Sequence, residues 1–346
     1  MKIVVDDKIP YIQPALHQLA EEVVAKAGSA ITSDDVREAD ILIVRTRTRC
    51  NRALLSDSRV RLIVTATIGY DHLDIDYLRS AGIEWTNCPG CNATSVAQYV
   101  LNSLLILRQQ KGLDFSQATL GIIGVGHVGT AVLEAARQWG IGRILLNDPP
   151  REAAGDAAPE GFCWSSLHRL QAEADILTLH TPLTIVPPHP THHLVDNAFL
   201  NTLQRRPVLI NAARGGIVDE RALLTAMDAG IVKTAIIDTW EGEPDVNRHL
   251  LEHAFIATPH IAGYSADGKA NATRMALSAI CRFLGREMTF DIQPPAPERH
   301  PDTTDDDVAR ALKLYNPMED SQRLKGHPEL FESLRGHYPL RREHWS

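Results

Sequence analysis

The sequence predicts an α/β protein of two Rossmann-like, doubly wound parallel-sheet domains with an interdomain cleft and a small C-terminal segment. Three observations lead to this prediction. Short apolar runs alternate with segments of helical periodicity along most of the chain, which is the pattern of parallel βα units. A glycine-rich turn joins one such run to a helical segment near the middle of the chain. The chain also has 346 residues, which is too many for one ordinary hydrophobic core.

The first lobe is predicted from apolar runs of strand length. These runs are Ile3–Val5, Ile41–Val44, Leu62–Ala66 and Ile83–Trp85. Asn92 is a favourable N-cap and precedes a long helix predicted over residues 93–108. Within it the apolar residues recur with helical spacing; they are Val96, Val100, Leu104 and Leu107.

The central lobe begins at a G-x-G-x-x-G motif formed by Gly124, Gly126 and Gly129. The motif lies between the apolar run 120–123 and a helix-like segment over 130–139. In a dinucleotide-binding turn the first glycine permits the tight turn, the second lets the backbone approach a pyrophosphate, and the third lets the helix pack closely. The helix N-terminus then offers N–H groups to the phosphates. We therefore predict a nucleotide site, with His127 and Val128 included, against the alternative of an ordinary glycine-rich βα turn.

The acidic residue Asp148 indicates which dinucleotide binds. It lies 19 residues after Gly129, at the end of a second apolar run over 144–146. A carboxylate in this position accepts hydrogen bonds from the ribose hydroxyls and repels a 2′-phosphate. The sequence thus favours NAD over NADP, although the nearby Arg151 leaves NADP open.

Further predicted strands end in polar residues. These strands are Asp175–Leu179, Val208–Asn211, Thr234–Ile237 and Phe255–Ala257. Ligands of open α/β sheets bind beyond the carboxyl ends of the strands, so we expect the residues that follow to line one crevice. The additional cofactor contacts predicted there are Thr181, Ala212, Asp238 and Gly263.

A last long helix is predicted over residues 266–284, and it returns the chain to the first lobe. We therefore predict a discontinuous first domain from residues 1–91 and 265–286, linked by interdomain helices, and a NAD-binding Rossmann domain over 92–264. Residues 287–346 form a C-terminal tail with a proline-rich linker and only scattered apolar residues.

Three polar residues near strand ends suit the oxidation of a hydroxy acid: Arg214, Glu243 and His260. Such a reaction needs a base for the hydroxyl proton, a cation for the carboxylate, and a group that orients the base. Histidine is a natural base near neutral pH, and the guanidinium fork matches a carboxylate. Glu241 competes with Glu243 as the histidine's partner. A structural ion pair for Arg214 and a strand-capping role for His260 are the simpler alternatives.

The chain resembles the D-isomer-specific 2-hydroxyacid dehydrogenases over residues 1 to about 290. The segments that carry the resemblance are Ala66–Asp71, Pro89–Ala93, Asn147–Pro150, Trp240–Pro244 and Pro259–Tyr264 with Gly268 and Lys269. The resemblance implies catalytic roles for Arg214, Glu243 and His260, and it favours Glu243 over Glu241. It also implies a small phosphorylated hydroxy acid as substrate, a substrate-binding first domain, and a homodimer formed through a C-terminal domain. The substrate contacts that it implies are Thr46, Thr67 and Tyr264.

Arg45 is the best local candidate for the substrate phosphate, with Arg47 and Arg49 beside it. A solvated charge run at a strand end is the alternative. The chain also departs from the family pattern. The tail after residue 286 is short for a dimerisation domain, which leaves the dimer mode open, and Gln98 stands where relatives usually carry Glu. The loop 184–193 is rich in proline and histidine, but without an acidic or cysteine ligand we expect no metal there.

Composition narrows the class of protein further. A formal net charge of −8 and a pI near 6.0 argue against nucleic-acid and membrane-surface partners. No apolar run reaches the ~20 residues of a membrane span, and the N-terminus lacks the features of a signal peptide. Five cysteines, an odd number, predict a reduced cytoplasmic protein. The rival interpretations are a dehydrogenase of another acid, such as 3-phosphoglycerate or a D-lactate-like substrate, and an NAD(H)-sensing transcriptional corepressor.

Overall fold

A computed structural model describes residues 1–296 and 306–343 of the chain. The chain forms two compact units. The first unit contains Met1–Asn92 and Ser265–Ala296, and the second contains Ala93–Tyr264 with the described residues of the tail. Each unit is built on one parallel β-sheet, so the predicted fold class of two Rossmann-like α/β domains is confirmed.

The first unit contains a five-stranded sheet. Its strands are β1 (Lys2–Asp6), β2 (Glu22–Lys26), β3 (Ile41–Val44), β4 (Leu62–Thr65) and β5 (Glu84–Thr86). Short helices connect them: α1 (Gln13–Leu19), α2 (Ser33–Val36), α3 (Arg52–Leu55) and α4 (Ile75–Ser80). All pairs are parallel and the order is β2-β1-β3-β4-β5. Every residue of β3 and β4 is buried, as expected for a sheet covered on both faces.

The second unit contains a six-stranded sheet. It opens with α5 (Ala93–Lys111), which precedes β6 (Thr119–Ile123), α6 (His127–Gln138), β7 (Arg143–Asn147), α7 (Pro149–Ala153) and α8 (Leu167–Glu173). The remaining elements are β8 (Ile176–Leu179), α9 (Asn197–Asn201), β9 (Val208–Asn211), α10 (Glu220–Asp228), β10 (Thr234–Ile237), α11 (Arg248–His253) and β11 (Ile256–Ala257). The strand order is β11-β10-β9-β8-β6-β7, with all pairs parallel. The connection from β7 to β8 therefore crosses β6 and separates the two halves of this sheet.

Alternation along each strand produces two cores in the second unit. In β9, Leu209 packs into one core while Ile210 packs into the other. The same alternation places Ile236 and Ile237 of β10 on opposite faces. Burial of each such side chain contributes about 1.5–3 kcal/mol, so the sheet is fixed firmly and its carboxyl edge is held in place.

After the second sheet the chain returns to the first unit through α12 (Ala266–Phe283). The helix begins where Ser265 Oγ accepts a hydrogen bond of 2.8 Å from Gly268 N, which satisfies one free N–H group. Its buried face carries Leu277 and Ile280, which join the core that contains Ile3 of β1. Its first residue, Ala266, coincides with the predicted start of this helix.

The described tail forms three helices: α13 (Asp307–Leu314), α14 (Pro317–Gly326) and α15 (Phe331–Gly336). Leu324 and Phe331 are almost fully buried in one core of the second unit, and Tyr315 is buried in the other. These three tail residues are therefore core residues of this unit. Across the described residues, the helices are all too short or too polar to span a membrane.

Candidate active site

The glycine-rich turn between β6 and α6 has the geometry expected of a dinucleotide site. Gly124 has a φ of +87°, and a Cβ there would lie 2.7 Å from the carbonyl carbon of His180. A Cβ on Gly129 would overlap the carbonyl oxygen of Gly124, so the third glycine is required for close packing. By contrast, a Cβ on Gly126 would meet nothing within 4 Å. Open space therefore lies beside the second glycine, where the backbone of this motif approaches phosphate.

The N-terminus of α6 adjoins this open space. The helix begins at His127, followed by Val128, and among the described residues no side chain caps it. The first N–H groups of a helix lack intrahelical partners, and the positive end of the helix dipole favours an anion. These residues therefore suit a pyrophosphate.

Asp148 lies directly after β7 and is tied to the same turn. Its Oδ2 accepts a hydrogen bond of 2.8 Å from Val125 N, and its Oδ1 accepts one of 3.2 Å from Arg151 N. The Arg151 side chain is engaged elsewhere. It donates to Val125 O at 2.8 Å and to Asp156 Oδ2 at 3.0 Å, and it stacks over Trp164. The carboxylate of Asp148 is thus fixed at the strand end. Arg151, the cation that would favour NADP, is bound to other groups.

Thr181 follows β8 and lies against Gly124. Its Oγ1 is buried and makes no hydrogen bond to any described residue. A buried hydroxyl without a partner is uncommon, and this one fits a polar ligand beside the glycine-rich turn. Two further predicted cofactor contacts follow strands of the same sheet, Ala212 after β9 and Gly263 after β11. The cofactor roles of all three remain predictions.

Asp238, the first residue after β10, organises the loop that carries His260. It is 1% exposed. Its Oδ1 accepts hydrogen bonds from Thr258 Oγ1 at 2.6 Å and Ile261 N at 2.8 Å, and its Oδ2 accepts one from Ala262 N at 3.0 Å. Burial raises the pKa of this carboxyl, against the lowering effect of those bonds and of His260. The structure gives Asp238 a positioning role; its contact with cofactor stays a prediction.

His260 and Glu243 form a hydrogen-bonded pair. His260 Nδ1 lies 3.0 Å from Glu243 Oε1 and 2.9 Å from Oε2. The histidine has a φ of +57°, a left-handed conformation uncommon for a residue with a side chain. Its N–H donates to Asp238 O at 2.8 Å, so the loop maintains this conformation. The histidine side chain is 27% exposed and the glutamate 18%, which leaves the pair accessible yet partly desolvated.

The pKa of Glu243 is lowered. Burial alone raises the pKa of Glu243. The hydrogen bond and charge of His260, the hydrogen bond of Trp240 N–H and the charge of Arg335 all lower this pKa, and together they outweigh burial. Trp240 N donates to Oε1 at 3.0 Å, and Arg335 Nη1 of the tail donates to Oε2 at 3.2 Å. The glutamate is therefore an anion at neutral pH, held by three donors.

Glu241, the competing partner, points to a different histidine. Its Oε1 is paired with His193 Nε2, and the ring of His193 stacks on His192. Among the described residues there is no group of three or more His, Cys, Asp or Glu side chains that could hold a metal ion. The proline- and histidine-rich loop thus contacts the loop after β10 through this pair.

Arg214 lies in the loop after β9. Its half-buried side chain donates from Nη1 to Ala213 O at 2.8 Å, while Asn211 Nδ2 donates to Arg214 O at 2.9 Å. A Cβ on the next residue, Gly215, would overlap the carbonyl oxygen of Trp240. The loops that carry Arg214 and Glu243 therefore pack backbone to backbone, which only glycine permits.

Arg341 of the tail also supports the loop after His260. Its guanidinium is buried and donates to the carbonyl oxygens of Ile261 at 3.1 Å, Ala262 at 2.6 Å and Tyr264 at 2.7 Å. Gln98 of α5 accepts from its Nε at 2.9 Å. Gln98, which departs from the family pattern, is thus a hydrogen-bond partner of a tail arginine.

The first unit contains the predicted residues Arg45, Thr46 and Thr67. Arg45 donates from Nε and Nη2 to the two carboxylate oxygens of Asp6, at 3.2 and 3.3 Å, and the Asp6 side chain is fully buried. Thr46 is exposed. Thr67 Oγ1 donates to Gly69 O at 2.8 Å. Arg45 is therefore held in one orientation at the end of β3.

Comparison with known proteins places this geometry in a family. Residues 99–262 match the family model "D-isomer specific 2-hydroxyacid dehydrogenase, NAD binding domain". An erythronate-4-phosphate dehydrogenase of Bacteroides thetaiotaomicron is 52% identical over 344 residues, which is 99% of this chain and 97% of that protein. The chain belongs to the D-isomer-specific 2-hydroxyacid dehydrogenases.

Solved structures of this dehydrogenase family have the same fold. A D-lactate dehydrogenase of Aquifex aeolicus, complexed with NAD and lactic acid, has a TM-score of 0.68 and 25% identity over 82% of this chain and 96% of that one. A NAD⁺-bound 3-phosphoglycerate dehydrogenase of Entamoeba histolytica has a TM-score of 0.69 and 27% identity over 85% and 98%. The chain is thus an enzyme of the dehydrogenase class with NAD as its cofactor, as predicted.

Two features of this dehydrogenase were missed by sequence reasoning. Arg335 and Arg341 lie among many other charged residues of the tail, and nothing in their spacing separates them from solvated charges. Gln98 was the one signal in the sequence that pointed to them, because an amide in place of a carboxylate requires a different hydrogen-bond partner. That signal indicated a packing change but did not identify the tail as the partner.

Proposed function

We propose that this protein oxidises 4-phospho-D-erythronate to 2-oxo-3-hydroxy-4-phosphobutanoate with NAD, in the biosynthesis of pyridoxal 5′-phosphate. The observation that carries the proposal is the 52% identity, over 99% of the chain, to a protein named erythronate-4-phosphate dehydrogenase. The segments 66–71, 89–93 and 147–150 provide the closer resemblance to that enzyme within the family. The hydrogen-bonded pair His260–Glu243 provides a base with an orienting carboxylate, as the reaction requires.

His260 is proposed as the general base. When Nδ1–H donates to Glu243, Nε2 carries the lone pair and is free to accept the hydroxyl proton of the substrate. Bound NAD supplies the hydride acceptor. The negative charge of Glu243 then stabilises the imidazolium that forms, in a partly desolvated setting where such a charge acts strongly.

Arg214 is proposed to bind the substrate carboxylate. It is also proposed to polarise the oxygen of the substrate hydroxyl group as that oxygen becomes a carbonyl oxygen. A guanidinium suits both tasks, because its N–H groups form a planar fork with a permanent charge. Its loop is fixed by Asn211 and by the close approach of Gly215 to Trp240. Tyr264, which follows the His260 loop, is proposed as a further substrate contact on the basis of the family resemblance.

The phosphate of the substrate is proposed to bind at Arg45, with Thr46 and Thr67 as additional contacts in the first unit. The buried Asp6 engages Nε and Nη2 of Arg45. These two bonds leave the N–H groups of Nη1 for an anion. The pairing with Asp6 also supports the alternative, in which Arg45 forms a structural ion pair. Arg45 contributes to binding of the substrate phosphate in the first interpretation but not in the second.

A substrate panel with purified enzyme and NAD tests the proposal. It contains 4-phosphoerythronate, unphosphorylated erythronate, 3-phosphoglycerate and D-lactate, each with and without an added 2-oxo acid as hydride acceptor. We expect 4-phosphoerythronate to have the highest kcat/KM. A higher value for 3-phosphoglycerate or D-lactate would overturn the substrate assignment while leaving the dehydrogenase class intact. Binding of NADH with no turnover of any acid would favour the corepressor interpretation.

We further propose a cytoplasmic homodimer. The family resemblance supports the dimer, and the cysteines support a reducing compartment, since Cys50, Cys88, Cys91 and Cys281 are buried free thiols. Burial raises the pKa of Cys88 to about 12, which keeps this thiol inert. Light scattering of purified protein at several concentrations tests the dimer: a monomer mass throughout would overturn it.

A further inference from the structure

We propose that Arg335 of the tail is a positioning residue for the proposed oxidation: it holds Glu243 in register with His260 and limits how strongly Glu243 favours the charged imidazolium. The inference rests on the proposed function and adds a residue from the tail, outside residues 99–262 that match the family model. It assigns a part of the reaction to α15.

The contacts of Glu243 provide the first argument. Trp240 N–H binds Oε1 and Arg335 Nη1 binds Oε2, at 3.0 and 3.2 Å. These donors hold the two oxygens separately, so the plane of the carboxylate cannot rotate without breaking one of them. His260 Nδ1 faces both oxygens, at 2.9 and 3.0 Å. Removal of Arg335 leaves Oε2 with the histidine alone and frees the carboxylate to turn.

The charges provide the second argument. Glu243 lies between two basic groups, His260 and Arg335, each within hydrogen-bond distance of its carboxylate. An anion beside a histidine favours the imidazolium. Arg335 is a permanent cation on Glu243 and offsets part of that effect. The side chains of both residues are 18% exposed, so solvent screens their interaction only partly. Arg335 thus offsets part of the negative charge that Glu243 presents to His260.

Several groups that interact electrostatically with the pair or with Arg335 are acidic or phenolic. Glu220 of α10 and Asp238 after β10 interact electrostatically with Glu243 and His260 respectively. Tyr264 and Glu332 interact with Arg335 itself. Arg335 places a positive charge against Glu243, so its loss leaves the negative charge of Glu243 less compensated beside His260.

Arg335 is placed by a buried anchor. Phe331, one turn earlier in α15, is 1% exposed in a core of the second unit, and Leu334 packs against the same core. The core cluster that holds α15 also contains Trp240, whose N–H is the other donor to Glu243. The position of the guanidinium is therefore fixed by hydrophobic packing, which is a requirement for a group that orients another.

The test compares Arg335→Met, Arg335→Gln and Arg335→Lys with a matched control, Arg323→Met. Arg323 is a tail arginine, 58% exposed, whose ion pair with Asp320 spans 3.9 Å. The measurements are kcat and KM for 4-phosphoerythronate and the pH profile of kcat/KM. We expect Arg335→Met to lower kcat about tenfold and to move the acidic limb of the profile upward by about half to one pH unit. In Arg335→Lys the acidic limb should lie close to its wild-type position. The control, Arg323→Met, should match wild type.

The shift of the limb separates positioning from simple structural support. A loss of kcat with an unmoved limb, not rescued by Lys, would overturn the proposal, as would wild-type behaviour of Arg335→Met. If Arg335→Met fails to fold, Arg335→Gln retains hydrogen-bond donors without the charge and is judged by the same limb. The pKa of His260, followed by NMR of ¹³C-labelled histidine with His260→Gln for assignment, gives a readout without turnover. Failure of the wild type to oxidise any hydroxy acid would instead contradict the proposed function.

Discussion

The left-handed backbone of His260 shows how single residues control this site. A φ of +57° costs on the order of 1–3 kcal/mol for a residue with a side chain. The buried carboxylate of Asp238 offsets that cost through hydrogen bonds to Ile261 and Ala262, and its carbonyl accepts from the His260 N–H. The histidine is therefore directed at Glu243 by a residue that does not touch either ring nitrogen.

His260→Ala tests the proposed base. We expect kcat to fall by roughly 10²–10⁴-fold, the usual range for removing general acid–base catalysis. The dissociation constant for NADH, measured by fluorescence titration, should stay close to the wild-type value because the glycine-rich turn is unaltered. Near-normal turnover in this variant would remove His260 from the mechanism.

Asp148→Ala tests the cofactor preference. The carboxylate that repels a 2′-phosphate is then absent, so we expect weaker NADH binding and a smaller preference for NADH over NADPH in fluorescence titrations. Arg151→Ala serves as the matched comparison, since its guanidinium is held by Val125 and Asp156. A wild-type enzyme that prefers NADPH would contradict the interpretation of Asp148.

The stability of the protein should depend on His180 in acid. Burial lowers the pKa of this histidine to about 3, against about 6.5 in an unfolded chain. Between these values the unfolded state binds a proton that the folded state does not, so the free energy of unfolding falls as the pH decreases below about 6.5. Urea unfolding at pH 5.5 and 7.5 measures this loss. His180→Gln should show a smaller difference between the two pH values, and an equal difference would rule out His180 as its source.

At the scale of elements, hydrophobic runs predicted most strands but not all. The buried strands β3, β4 and β9 have sequences that are almost wholly apolar, so each could be identified directly. The edge strand β2 was missed because its burial is only partial, and its Glu22 and Lys26 resemble loop residues. The tail helices were missed for the same reason, since their apolar residues are few and widely spaced.

Two glycines of one turn provide a matched test of structure against binding. Gly129→Ala forces a Cβ onto the carbonyl oxygen of Gly124, so we expect a lower melting temperature and loss of NADH binding. Gly126→Ala places its Cβ in open space, so the melting temperature should change little while NADH affinity falls at least about tenfold, or ~1.4 kcal/mol. Thermal unfolding and NADH titration of both variants measure these effects. Equal NADH affinity in Gly126→Ala and wild type would contradict the predicted pyrophosphate site.

Across the whole molecule each unit is built from two separate segments of the chain, since α12 returns to the first unit before the tail joins the second. The alternation of strands and helices predicted both sheets. The catalytic candidates could be located because each follows a strand of the second sheet. The partners of those candidates could not be located in the same way. Arg335 is 92 residues from Glu243 in the chain, and the packing of Phe331 and Leu334 of α15 brings the two together.

Arg341→Met should disturb both stability and turnover. The guanidinium donates to three carbonyl oxygens of the segment 261–264 and stacks 3.8 Å from the Tyr315 ring centroid. Hydrogen bonds to charged groups contribute about 1.5–3 kcal/mol, so we expect a loss of at least ~2 kcal/mol in the free energy of unfolding and a lower kcat. Arg323→Met again serves as the control. Unchanged unfolding and kcat in Arg341→Met would show that the tail does not support this loop.

The burial of Arg341 in the tail has a genetic consequence. In this protein a stop at codon 335 or 341 deletes a side chain that contacts the catalytic candidates or their loop. Such a nonsense allele should therefore behave as a loss of function, and a selection for activity would recover few truncations in this region.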